Sequence, residues 1–135
     1  MKTERIVTLH GKVSSGLGEG KYFMRIEEYR RQFRKKLGID PYFGTLNIRL
    51  LGIHADKMLE LKNGRSATVI KGFKSGKSTF GDVLCYRTNL MGIDCALVMP
   101  VKSKHEAVAE IISSENLRKK LGLRDGSRVR LAIRL

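Results

Sequence analysis

The sequence predicts a mainly β fold: a small closed barrel with a few short helical inserts. Three observations point there. Apolar and polar residues alternate in short segments at 4–13, 45–50 and 127–135, and segments 66–73, 79–87 and 92–99 also read as extended. Gly, Asn and Ser punctuate these segments. The chain is only 135 residues long and 41% hydrophobic, enough for one domain spanning 1–135 with a real core. Many short antiparallel strands in so short a chain are best satisfied by closure.

Taken in order, residues 4–13 (ERIVTLHGKV) form the first strand and 14–20 a glycine-rich turn, followed by a short extended piece at 21–26. Tyr29, Phe33 and Leu37 recur every four residues, which predicts a helix over 27–37 with Gly38 as its C-cap. Arg30, Arg31, Arg34 and Lys35 fall around the rest of that helix, and 40–44 (DPYFG) is turn chemistry. In 45–50, Leu46, Ile48 and Leu50 alternate with Thr45, Asn47 and Arg49. Residues 104–112 read as a short helix and 115–121 as a second, ended by Gly122. Asp125-Gly126 is a hairpin signal, and the last strand turns Val129, Leu131, Ile133 and Leu135 inward and Arg128, Arg130 and Arg134 outward.

Charge narrows the partners without choosing among them. Lys and Arg outnumber Asp and Glu 27 to 13, a formal charge of +14. The expected partner is an anion: nucleic acid, an anionic membrane surface or a phosphorylated small molecule. No apolar run reaches the ~20 residues of a membrane span. The N-terminus has no apolar signal region. Cys85 and Cys95 form no CxxC pair, so the expected location is a reducing cytoplasm.

Two nucleotide-binding look-alikes fail on spacing. In 72–79 (GFKSGKST) three residues separate the glycines where a phosphate-binding loop needs four, and a strand rather than a helix follows; a polar hairpin turn is the better reading. Gly16-Leu17-Gly18-Glu19-Gly20 closes one residue too early for a dinucleotide fingerprint. Its three glycines in five residues still carry an entropic cost. Either the segment is a plain turn, or its amides form an anion nest beside Lys21.

Thr45 and Asn47 share one face of a strand, ~7 Å apart. They are ordinary exposed polar residues, or two neutral oxygen ligands for a Mg²⁺ whose shell phosphates and water complete. Ser103 and Glu106 have capping-box spacing, and Glu110 lies four residues further on.

These segments together resemble one family. GKVSSGLGEGKYF, LGIDPYFGTLNIRL, ALVMPVKSKHEAVAEII and LRKKLGLRDGSRVRL, in that order, are similar to the archaeal CTP-dependent riboflavin kinases across nearly the whole chain. The resemblance implies a six-stranded cradle-loop barrel. It implies transfer of the γ-phosphoryl group of CTP to the 5′-hydroxyl of riboflavin, giving FMN and CDP, with Mg²⁺ as cofactor. By motif, Gly16, Leu17, Gly18, Glu19, Gly20 and Lys21 would wrap the nucleotide, with Glu115, Asn116, Leu117 and Arg118 completing its pocket. Thr45 and Asn47 would hold Mg²⁺, Ser103 and Glu110 would contact the flavin, and Glu110 is the candidate catalytic base. Ser103 stands where threonine is expected; it keeps the hydroxyl and loses a methyl. Some members carry an N-terminal winged-helix extension, whereas this chain begins at the barrel. The expected partners are riboflavin and CTP, acted on by a monomer that requires neither nucleic acid nor membrane.

The competing reading is a basic nucleic-acid-binding barrel without catalytic activity. It uses the charge, the arginine face of the last strand and the cationic helix. Against it stand a 7% aromatic content, the absence of Trp and the lack of any base-reading signature.

Overall fold

In a computed structural model, residues 5–15, 23–102 and 107–135 are described. Nine strands appear among them: β1 Ile6–Ser14, β2 Leu46–Leu50, β3 Thr68–Ile70, β4 Phe73–Ser75, β5 Ser78–Phe80, β6 Val83–Leu90, β7 Ile93–Pro100, β8 Val108–Ile112 and β9 Arg128–Arg134. Three α-helices join them: α1 Glu27–Leu37, α2 Ile53–Glu60 and α3 Leu117–Leu121. The main sheet runs β3-β6-β7-β8-β2-β1-β9, and β9 pairs back onto β6 through Leu90↔Leu131 and Thr88↔Ile133. Six antiparallel strands therefore close into the expected barrel. Strand β3 pairs with the first half of β6, Ile70↔Val83, and β9 with its second half.

Alternation fills the barrel. Leu9, Val13, Leu46, Ile48, Leu97, Ile111, Leu131 and Ile133 are buried in one interior cluster. A second core lies outside the sheet, where α1 lays Tyr29, Phe33 and Leu37 onto Cys85, Val98 and Ile112. This explains why β6, β7 and β8 are apolar on both faces while β9 alternates strictly. Helix α1 ends as expected: Gly38 adopts φ 69° and its N–H bonds the carbonyl of Arg34 at 3.1 Å.

Several local expectations are corrected. Residues 108–112 are not helical. Strand β8 pairs with β2 on one side and β7 on the other, and its Ala109 and Ile111 enter the barrel. Helical propensity in AVAEII loses to these two ladders. The capping residues Ser103 and Glu106 lie outside the described residues, as do 21 and 22 of the extended piece. The rest of that piece, 23–26, is a turn in which the Ile26 N–H reaches the Phe23 carbonyl. Asp125-Gly126 turns the chain from α3 into β9 rather than joining two paired strands. Its Gly126 N–H is taken up by the Val13 carbonyl at 2.7 Å. Helix α2 occupies 53–60, where no element was expected, with Met58 buried. The look-alike at 72–79 is the β4–β5 hairpin, paired Ser75↔Ser78. No helix among the described residues is long and apolar enough to cross a membrane.

Candidate functional site

The site grows from the outward face of β2. Asn47 points away from the barrel interior, since Leu46 and Ile48 on either side of it belong to the core, yet it is only 6% exposed. It sits in register between Ser14 of β1 and Glu110 of β8. Glu110 is likewise 8% exposed. An amide and a carboxyl are thus held side by side on an outer sheet face, covered enough to sit in a lowered dielectric.

Thr45 enters beside Asn47, its Oγ1 donating to Asn47 Oδ1 at 3.2 Å. Gly44 precedes it with φ 147°, a backbone angle that a side chain rarely tolerates. The loop before it is clamped from α1. Arg30, read from sequence as one of the helix's surrounding cations, is 8% exposed. Its Nη1 donates to the carbonyls of Met24 (2.8 Å) and Pro41 (2.7 Å), its Nη2 meets Asp40 Oδ1 at 3.0 Å, and its guanidinium lies 4.5 Å above the Phe43 ring. One planar donor therefore positions residues 40–43 and, through them, Thr45.

Opposite Thr45 lies a cavity of about 180 Å³. Tyr42, Thr45, Ser113 and the segment Glu115–Arg118 line it. Asn116 caps α3 by accepting from the Lys119 N–H at 3.3 Å, and its Nδ2 donates to the Tyr42 hydroxyl at 3.3 Å. The Tyr42 N–H bonds the Ser113 carbonyl at 2.8 Å, so the two walls are stitched together. Arg118 reaches back to the end of β1, donating to the Ser14 carbonyl at 3.1 Å and to Asp125 Oδ1 at 2.7 Å. Ser15 Oγ donates to Asp125 Oδ2 at 2.6 Å. These two bonds, Ser15's first, hold the exposed Asp125 carboxyl below its usual pKa.

The structure therefore brings together Thr45, Glu115, Asn116, Leu117 and Arg118 on one cavity, and Asn47 and Glu110 on one cross-strand pair. Glu110 opens instead onto a separate small cleft with Lys62 and Met99. Gly16, Leu17, Gly18, Glu19, Gly20, Lys21 and Ser103 lie outside the described residues. Sequence reasoning missed Tyr42, Ser113 and the Ser15–Asp125–Arg118 network. Tyr42 and Asp125 were visible only as turn residues, and nothing local signals their distant partners.

Among the described residues no group of three His, Cys, Asp or Glu side chains is placed to hold a metal. The Thr45 and Asn47 oxygens, 3.2 Å apart, do match the ~3 Å separation of neighbouring ligands in an octahedral Mg²⁺ shell.

Comparison with known proteins shows the family. A family model named CTP-dep_RFKase, described as domain of unknown function DUF120, matches residues 13–133. Proteins named riboflavin kinase are similar over most of the chain. That of Picrophilus torridus is 43% identical over 119 residues, covering 88% of this chain and 53% of the relative. That of Ignicoccus hospitalis is 41% identical over 128 residues (94% and 71%), and that of Archaeoglobus fulgidus 40% over 133 residues (96% and 56%). The chain thus spans little more than half the length of two of these three relatives. This chain belongs to the riboflavin kinase family that the model describes.

Proposed function

We propose that the protein is a CTP-dependent riboflavin kinase, moving the γ-phosphoryl group of CTP to the 5′-hydroxyl of riboflavin. The observation that carries the reading is the pair of neutral oxygens, Thr45 Oγ1 and Asn47 Oδ1, with Thr45 on the rim of the cavity formed by Glu115–Arg118. Phosphoryl transfer asks a protein mainly for positioning and charge neutralisation. A cavity wall that caps its own helix and ties back to β1 supplies the first.

In this reading the nucleotide lies in the cavity between Tyr42 and α3, and Gly16–Lys21 are its further binding residues. Thr45 and Asn47 hold Mg²⁺, which when bound neutralises phosphate charge. Glu110 faces the acceptor hydroxyl and takes its proton as the oxygen–phosphorus bond forms. The bond from the γ-phosphorus to the bridging oxygen breaks, and CDP leaves. Ser103 and Glu110 hold the flavin. The family model's name, CTP-dep_RFKase, supports CTP as the donor. The reaction needs only soluble substrates, and two buried free thiols, Cys85 and Cys95, suit a reducing cytoplasm.

The test is direct. The protein is incubated with riboflavin, Mg²⁺ and either CTP or ATP, and FMN is separated chromatographically. FMN appears faster with CTP. No FMN with either donor sinks the kinase reading, and equal rates sink the CTP preference.

A further inference from the structure

The cavity beside Thr45 is bounded by an aromatic ring that is exposed and yet fixed. Among the described Phe and Tyr residues only Tyr42 and Phe43 are exposed. Phe43 has Arg30 over its ring and stands outside the cavity, whereas Tyr42, 46% exposed, borders it. Tyr42 is held at both ends. Its N–H donates to the Ser113 carbonyl and its own carbonyl accepts the Gly44 N–H, each at 2.8 Å. Its hydroxyl accepts from Asn116 Nδ2 at 3.3 Å. The ring therefore spans one side of the cavity, from the 40–44 loop to the start of α3. A side chain held in this way loses little freedom when a ligand meets it.

The rest of the lining suits a flat heterocycle better than a phosphate. Leu46, Ile111 and Leu117, all buried, give aliphatic surface to the same cavity. Its polar groups are engaged by the protein itself. Arg118 serves the Ser14 carbonyl and Asp125, and Asn116 Oδ1 takes the Lys119 N–H. The Ser113 hydroxyl takes the Glu115 N–H, and the Glu115 carboxylate meets Lys120 at 3.5 Å. Volume points the same way. An apolar cavity of about 150 Å³ takes one benzene ring, and this one is about 180 Å³. It houses one ring, and a two-ring base would leave half of itself in water. We infer that Tyr42 is the platform on which the donor's base stacks, and that the slot it bounds selects a one-ring base over a two-ring one. The inference rests on the nucleotide reading of this cavity and adds to it the residue and the reason for a pyrimidine. Stacking on an aromatic side chain changes affinity about five- to 150-fold per base.

The experiment is equilibrium dialysis of the whole chain with CDP, ADP and inorganic tripolyphosphate, each with Mg²⁺. CDP binds about tenfold tighter than ADP or better. Tyr42→Leu keeps the bulk and removes the π-face. It weakens CDP about tenfold or more, brings CDP and ADP level and leaves tripolyphosphate unchanged. Tyr42→Phe keeps the ring, gives up the Asn116 bond and retains most of the CDP affinity. A residue that merely set the 40–44 loop, and with it Thr45, would weaken CDP and tripolyphosphate alike. A second measurement needs no variant. The chain has no Trp, so its tyrosine emission is directly visible; CDP quenches it and tripolyphosphate does not. The inference is overturned by no CDP binding, by ADP binding as tight as CDP, by equal losses of CDP and tripolyphosphate in Tyr42→Leu, or by unquenched emission. FMN formation reports separately. FMN made with an unchanged KM for CTP in Tyr42→Leu keeps the kinase and removes this inference, whereas Tyr42-dependent CDP binding without FMN does the reverse.

Discussion

Arg118 donates to the backbone carbonyl of Ser14, 3.1 Å away and 104 residues distant in sequence. The bond joins the first turn of α3 to the last residue of β1, from which the glycine-rich segment departs. It places that segment's anchor against the wall of the cavity next to Thr45. The guanidinium thus has two partners, the Ser14 carbonyl and Asp125, and Asp125 also accepts from the Ser15 hydroxyl.

Asp125→Asn should loosen this junction in a pH-dependent way. The folded carboxyl sits below its ordinary value of 3.8, so the unfolded chain binds the proton more readily. Its stabilising share is present above that value and is lost as pH falls through the lower folded pKa. Thermal melts of the two proteins should differ at neutral pH and converge in acid well below 3.8. The effect is small, because Asp125 is exposed and screened. A difference that grows in acid contradicts the assignment.

Asn47→Ala should lower FMN formation by more than the ~10–100-fold that loss of an outer-shell metal partner costs. It should also raise the Mg²⁺ concentration needed for half-maximal rate. An unchanged Mg²⁺ dependence would remove Asn47 from the metal site.

Arg30→Lys removes the fork that serves two carbonyls at once. One of the Met24 and Pro41 carbonyls then loses its bond in a buried place, a penalty of about 1–3 kcal/mol. Urea unfolding should show that loss, and KM for the nucleotide should rise because the 40–44 loop no longer sets Thr45.

Gly11→Ala should destabilise the barrel. A Cβ at Gly11 would lie 2.5 Å from the Arg49 carbonyl oxygen and 2.7 Å from Ile48 Cγ2. The β1–β2 approach would have to open, at about 1–3 kcal/mol. Urea unfolding reads the shift directly, and an unchanged midpoint would show that the strands are not so close.

Cys85 and Cys95 should resist alkylation in the native protein at about pH 8. Burial is the first cause that pushes each thiol up to about 12. Mass spectrometry should find adducts only after denaturation; rapid labelling of the folded chain would show a more open sheet.

Much of the fold was legible because its signals are local. The 3.6-residue recurrence of Tyr29, Phe33 and Leu37 and the strict alternation of 128–134 each survive in the structure. The failures share a cause. In β8, Glu110 lies between Ala109 and Ile111, a stretch whose own propensity is helical; only pairing with β2 and β7 makes it a strand. Glu110 was named as a site residue through family resemblance, on an element of the wrong type. Arg30 looked like one more helix cation, because its acceptors at Met24 and Pro41 are backbone atoms that no side-chain pattern reveals.

By itself, the sequence determined a mainly β chain, one basic and amphipathic helix, the family, and the residue types at 45, 47 and 115–118. Those follow from periodicity and from motifs within a few residues. Only the tertiary structure decided that Asn47 faces Glu110, that Thr45 shares a cavity with α3, and that the Tyr42 hydroxyl meets Asn116 there. Register and closure set these neighbours, and both are properties of strands paired across the chain.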